Sequence, residues 1–291
     1  MNHSGFLKLS YTKHLFLVVF FFSIALSAIA QASSSYTDTY FKKRFESVDS
    51  LKKLNQHNSA FEAVKEIKVI ADQISHTPYR VKCFRELIDI KQHYLLEEDQ
   101  KKTSEFILSM FREELQGVSS WQYNAISDYM AFILIEKAAF LKTIYFKVDD
   151  DGIFNDTSVN ELNWSTDRIL EEVWYCILQS MKYSENLKLG KNMQPLIPDF
   201  IDKYEFTPSL TSLMALEGID ILSEINYILE RNHDMKDSLK VFAPVKDMAF
   251  ETINFDEVLS NQLFARVLNL YQIVMADSYH VYFDIERLKF V

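Results

Sequence analysis

The chain has 291 residues, and its 41 Asp and Glu against 31 Lys and Arg give a formal net charge of −10. Nucleic-acid recognition requires a basic patch. The short basic runs Lys42-Lys43-Arg44 and Lys101-Lys102 lie among acidic residues. Composition therefore excludes nucleic acid as an expected partner, and the length is enough for one large domain or two smaller ones.

The first thirty residues carry the three parts of a secretory signal peptide. The basic start contains Lys8, Lys13 and His14, and the apolar run extends from Leu15 to Leu26. The small-x-small cleavage site is Ala28-Ile29-Ala30. The alternative is an uncleaved anchor, but the run is shorter than the roughly 20 residues of a membrane span. We therefore expect the signal peptide, residues 1–30, to be removed, leaving an exported chain that begins at Gln31 and has no membrane span.

Apolar residues then recur at helical spacing. In 58–75 the stripe is Ala60, Ala63, Val64, Ile67, Ile70, Ala71 and Ile74. Asn58 or Ser59 is expected to cap this helix, with Glu62 completing a capping box. Pro78 is expected at the start of the next helix, where its missing N–H costs nothing. The stripe of that helix is Val81, Phe84, Leu87, Ile88 and Leu95.

A third pattern is expected to stop at Gly117 and holds Phe106, Ile107, Met110, Phe111 and Leu115. The segment from Trp121 to Phe146 is apolar on every side in its middle. We therefore expect it to be the central and most buried helix. Residues 147–163 are polar and carry no period, so they are expected to form a loop.

Ser165 or Thr166 is expected to cap the next helix, whose stripe is Ile169, Leu170, Val173, Trp174, Ile177, Leu178 and Met181. Residues 184–208 contain Gly190 and three prolines and are expected to connect. Thr207 and Pro208 suit the cap and first turn of a helix, which holds Leu210, Leu213, Met214, Ile221, Leu222 and Ile225. After irregular residues 231–255, a last helix is expected from about Asp256 to Ala276.

These patterns predict an all-α fold, because strand-type alternation never persists. The early helices come in pairs with wide apolar stripes. They are expected to form antiparallel helical hairpins stacked in a tetratricopeptide-like array, although the Trp-Leu-Gly-Tyr consensus is absent. We expect an N-terminal hairpin array in 31–160 and a second helical half of the same region in 161–291.

Metal and catalytic motifs are not predicted. Asp149-Asp150-Asp151-Gly152 invites a calcium loop, but Gly152 at position 6 puts Lys147 at position 1 and Ser158 at position 12, so both end ligands fail. A solvated acidic loop is the better interpretation. The histidines lack zinc spacing, and no phosphate loop or GxSxG elbow occurs. We interpret Glu113-Glu114 and Glu171-Glu172 as surface charge, so no catalytic residue, metal or cofactor is expected.

The two cysteines, Cys83 and Cys176, both fall in helical patterns. Export would place them in an oxidising compartment, where a disulfide is possible. Two buried thiols acting as small hydrophobes are the other interpretation. Spacing does not choose between these alternatives.

Aromatic residues are frequent, and at helical spacing they are expected in the core. The exception is a segment near the end with weak helical support. Apolar side chains there would form an exposed patch, and such patches mark interaction sites. We expect a docking surface for a protein partner, formed by Tyr279, Tyr282, Phe283, Leu288 and Phe290.

Several stretches resemble the N-terminal helical region of large Bacteroidetes-type α2-macroglobulin-like proteins. Asp49-Ser50-Leu51 and Ser59 to Val64 are similar to the first helical hairpin of that family. Asn163-Trp164 looks like its Asp-Ile-x-Thr-Trp segment, with Trp164 matching. Thr207 to Leu216 resembles its Pro-Thr-Leu-Tyr-Asp-Phe-Leu-Ala segment. Ile285 to Val291 resembles its Asp-Leu-x-Arg-Leu-x-Phe-Val run.

The resemblance implies a role in protease trapping in the envelope of a Gram-negative bacterium, in the periplasm or on the extracellular face. In the family this region precedes β-sandwich domains, a bait region and often a Cys-Gly-Glu-Gln thioester. None of these occurs here, which we interpret as a truncated or split member or a free copy of the first module. The expected function is a non-enzymatic helical module that contacts macroglobulin-like domains or a separate envelope protein. The alternative is a free-standing helical-repeat protein that binds a protein or peptide.

Overall fold

The computed structural model describes residues 38–93, 100–119, 127–148, 154–185 and 209–230, and single helical residues between 263 and 274. These residues are 87% helical and contain no strand, which confirms the all-α prediction. The chain divides into two compact units, Met1–His76 and Thr77–Val291. None of the described helices combines the length and the apolar composition needed to cross a bilayer.

In the described part of the first unit, from residue 38 onward, two helices pack together, α1 (Asp38–Lys53) and α2 (His57–Gln73). Each has an apolar stripe facing the other, so that the buried side chains are Phe41, Phe45, Val48, Ala60, Val64, Ile67 and Ala71. Of the seven residues predicted for the stripe in 58–75, four are buried in α2, whereas Ala63, Ile70 and Ile74 are half-buried.

A tight turn fixes the start of α2. Asn55 has a φ of 58°, and the N–H of Gln56 donates to the carbonyl of Leu51, which is the hydrogen bond of a Schellman ending. Helix α1 ends at Lys53, and this short turn lets α2 begin at His57. The residue before α2, Gln56, makes no side-chain capping hydrogen bond. The predicted cap at Asn58 or Ser59 is therefore wrong.

The second unit contains five α-helices and one 3-10 turn among its described elements. They are α3 (Thr77–His93), α4 (Gln100–Ser119), α5 (Ser127–Tyr145), the 3-10 turn Glu161–Asn163, α6 (Thr166–Ser184) and α7 (Leu210–Glu230). Pro78 lies in the first turn of α3, as predicted. Ser165 caps α6, because its hydroxyl accepts a hydrogen bond from the N–H of Arg168.

Helix α5 is the centre of the second unit, as the sequence predicted. It packs against α3, α4, α6 and α7, and most extensively against α6. Its buried apolar side chains cover most of its circumference, and they are Tyr129, Ala131, Phe132, Ile133, Leu134, Ile135, Ala138, Phe140, Leu141 and Ile144. One contiguous core extends from these residues to α7 and to Leu263, Val267, Leu270, Tyr271 and Val274.

Several details of the second unit differ from the predictions. Helix α7 begins at Leu210, and Ser209 caps it by accepting a hydrogen bond from the N–H of Ser212. The cap and first turn predicted at Thr207 and Pro208 are therefore wrong. Helix α4 continues past Gly117 to Ser119, since no described glycine adopts the positive φ that ends a helix. Phe106 and Leu178 were expected in the core, but each is 39% exposed. The tetratricopeptide-like stacking and the halves 31–160 and 161–291 stay predictions.

Candidate functional site

A cluster of buried charged side chains centres on Lys137, in the middle of α5. Its ammonium donates a hydrogen bond of 2.9 Å to Oε1 of Glu172 on α6. It also lies 3.7 Å from Oε1 of Glu161 in the 3-10 turn. The side chains of Lys137 and Glu161 are only 9% and 3% exposed. We call Lys137, Glu161, Glu172 and Cys176 the Lys137 cluster.

Local hydrogen bonds hold Glu161 in position. The side chain of Asn160 accepts from the N–H of Leu162 and so caps the 3-10 turn. The indole of Trp164 donates to the carbonyl of Ser158 at 2.7 Å. On α4, Arg112 donates to the carbonyl of Val159 and lies 3.4 Å from Oε2 of Glu161. This turn is therefore tied to α4 as well as to α5.

Helix α6 supplies the other two members of the cluster. Glu172 and Cys176 are four residues apart and so lie on the same helix face. The thiol of Cys176 lies 3.9 Å from Oε1 of Glu172. A guanidinium nitrogen of Arg168 lies 3.7 Å from Oε2 of the same carboxylate. Three successive turns of α6 thus bring a cation, a carboxylate and a thiol together.

The electrostatics of the cluster favour a charged lysine and a neutral thiol. Burial alone would lower the pKa of Lys137, but the facing Cys176 and the carboxylates of Glu172 and Glu161 outweigh it, and the pKa is raised. Burial raises the pKa of Cys176 to about 12, and Lys137 only partly opposes this shift. At neutral pH the thiol is therefore protonated and lacks the thiolate character of a reactive cysteine.

Both cysteines are buried thiols in the structure. We expect neither Cys83 nor Cys176 to react with a chromogenic disulfide reagent at pH 7.5 in the native protein, and both to react in denaturant. Fast labelling of the native protein, or no labelling in denaturant, would contradict this expectation.

The raised pKa of Cys176 also makes stability depend on pH. Because the ordinary thiol pKa is 9.0 and that of native Cys176 is about 12, the thiol ionises at lower pH in the unfolded chain than in the native protein. The free energy of unfolding should therefore fall as the pH rises from 9.0 towards 12.

A second buried polar chain crosses from α3 to α4 through α5. Arg80 is 3% exposed, and its guanidinium lies 3.9 Å from the ring centroid of Tyr129, a cation–π distance. The hydroxyl of Tyr129 donates to Glu114 at 2.6 Å. This arrangement connects three helices without exposing a reactive group.

The interpretation of the paired carboxylates as surface charge is therefore half wrong. Glu113 and Glu171 are exposed, but Glu114 and Glu172 point towards partners on α5. The sequence carried one indication of this. Lys137 lies within the apolar middle of α5, and a buried charge needs a partner.

The remaining predicted residues are those of the C-terminal docking surface and of the acidic run. Tyr279, Tyr282, Phe283, Leu288 and Phe290 lie outside the described residues, as does the acidic run Asp149–Asp151. Where side chains are described, no group of three His, Cys, Asp or Glu residues is placed to hold a metal ion.

Comparisons with protein-family models, with curated proteins and with solved structures found no match to this chain.

Proposed function

We propose that the chain is a non-enzymatic, exported helical module that binds another protein in the envelope of a Gram-negative bacterium. This is the role implied by its resemblance to the N-terminal helical region of α2-macroglobulin-like proteins. The partner would be a set of macroglobulin-like domains or a separate envelope protein. An all-helical fold is what that resemblance requires.

The observation that supports a structural rather than catalytic chemistry is the internal pairing of the buried charges. Lys137 is neutralised by Glu172 and Glu161. A general base or nucleophile needs a group poised near the working pH, whereas the raised pKa values of Lys137 and Cys176 hold both groups protonated at neutral pH. The cluster is suited to joining α5, α6 and the 3-10 turn.

We expect the isolated chain neither to inhibit proteases nor to hydrolyse common substrates. Covalent trapping requires an activated acyl group and a cleavable bait, and the sequence contains no Cys-Gly-Glu-Gln motif. Incubation at equal molar ratio with serine, cysteine, aspartic and metallo-endopeptidases measures this. Stoichiometric loss of activity in any class would overturn the proposal.

The proposed docking surface has its own test. Replacing Tyr282 and Phe290 with Ser should abolish capture of macroglobulin-like β-sandwich domains by the tagged chain, because apolar side chains at the centre of an interface carry most of its binding energy. Val159→Ser is the control, since Val159 is apolar and 78% exposed and is not one of the five proposed docking residues. Capture by the double variant as strong as by the control would rule out C-terminal docking.

The alternative, a free-standing helical-repeat binding protein, predicts a different sensitive surface. Tyr175 and Leu178 on α6 are 53% and 39% exposed, and their spacing of three residues places them side by side on the helix surface. Loss of partner capture on changing these two residues to Ser, with the C-terminal variant unaffected, would favour the alternative.

A further inference from the structure

We draw no further inference here: the strongest candidate, the exposed apolar pair Tyr175 and Leu178 on α6, carries nothing because nothing in the structure shows what covers it.

Discussion

Replacing Lys137 with Met is expected to lower the free energy of unfolding by about 3 kcal/mol, because it leaves buried carboxylates without their cation. Glu161 is only 3% exposed and Glu172 only 15%, so water cannot take the place of the ammonium. Methionine retains most of the aliphatic stem, so the measured loss reports the missing charge and not a change in packing. Equilibrium urea unfolding followed by far-ultraviolet circular dichroism measures the change.

Lys142→Met is the matched control. Lys142 lies on the same helix and its ammonium also pairs with a glutamate, but that partner, Glu224, is 61% exposed. An ion pair with one solvated member contributes at most about 1 kcal/mol. Equal losses for the two variants would show that burial of the carboxylates does not set the cost.

Gly218→Ala is expected to destabilise the protein by about 1–3 kcal/mol, the usual cost of overpacking a core. An added Cβ would lie 2.7 Å from Cγ2 of Ile177 on α6 and 3.1 Å from Cδ1 of Leu270. The Ile177 methyl branches directly from Cβ, so it can move aside only if Ile177 leaves the χ1 rotamer that β-branched residues strongly prefer in a helix, or if the helix shifts. Thermal and urea unfolding measure the loss.

Gly117→Ala should have the opposite sign. Gly117 is also helical, in α4, but nothing lies within 4 Å of its added Cβ. Alanine there should stabilise the helix by up to about 1 kcal/mol. If both substitutions stabilise, the close approach of α7 to Ile177 is wrong.

Much of the fold could be predicted because it is local. The spacing of apolar residues located the helices, and the all-round apolar character of α5 predicted its central place. Ser165 was recognisable as a cap because its hydroxyl bonds only three residues ahead. By contrast, the start of α2 depends on the left-handed backbone at Asn55, which a stripe of apolar residues does not reveal.

The candidate site could not be predicted in the same way. Periodicity shows which face of a helix is buried, but not which residue meets it from another part of the chain. Glu172 lies 35 residues beyond Lys137, and its exposed neighbour Glu171 has the same chemistry. The role of Gly218 could not be predicted either, since only the packing of α6 and Leu270 against it shows why a side chain is excluded there.

A double-mutant cycle between Lys137 and Glu172 tests most directly whether the buried charges stabilise the fold by joining α5 to α6. Lys137→Met and Glu172→Gln should each be destabilising, because each leaves the other charge without its hydrogen-bonded partner. The double variant should lose less than the sum of the two, with a coupling free energy of about 1–3 kcal/mol. Additive losses in the free energy of unfolding would contradict this role, because they would mean that the two side chains do not stabilise each other in the folded protein.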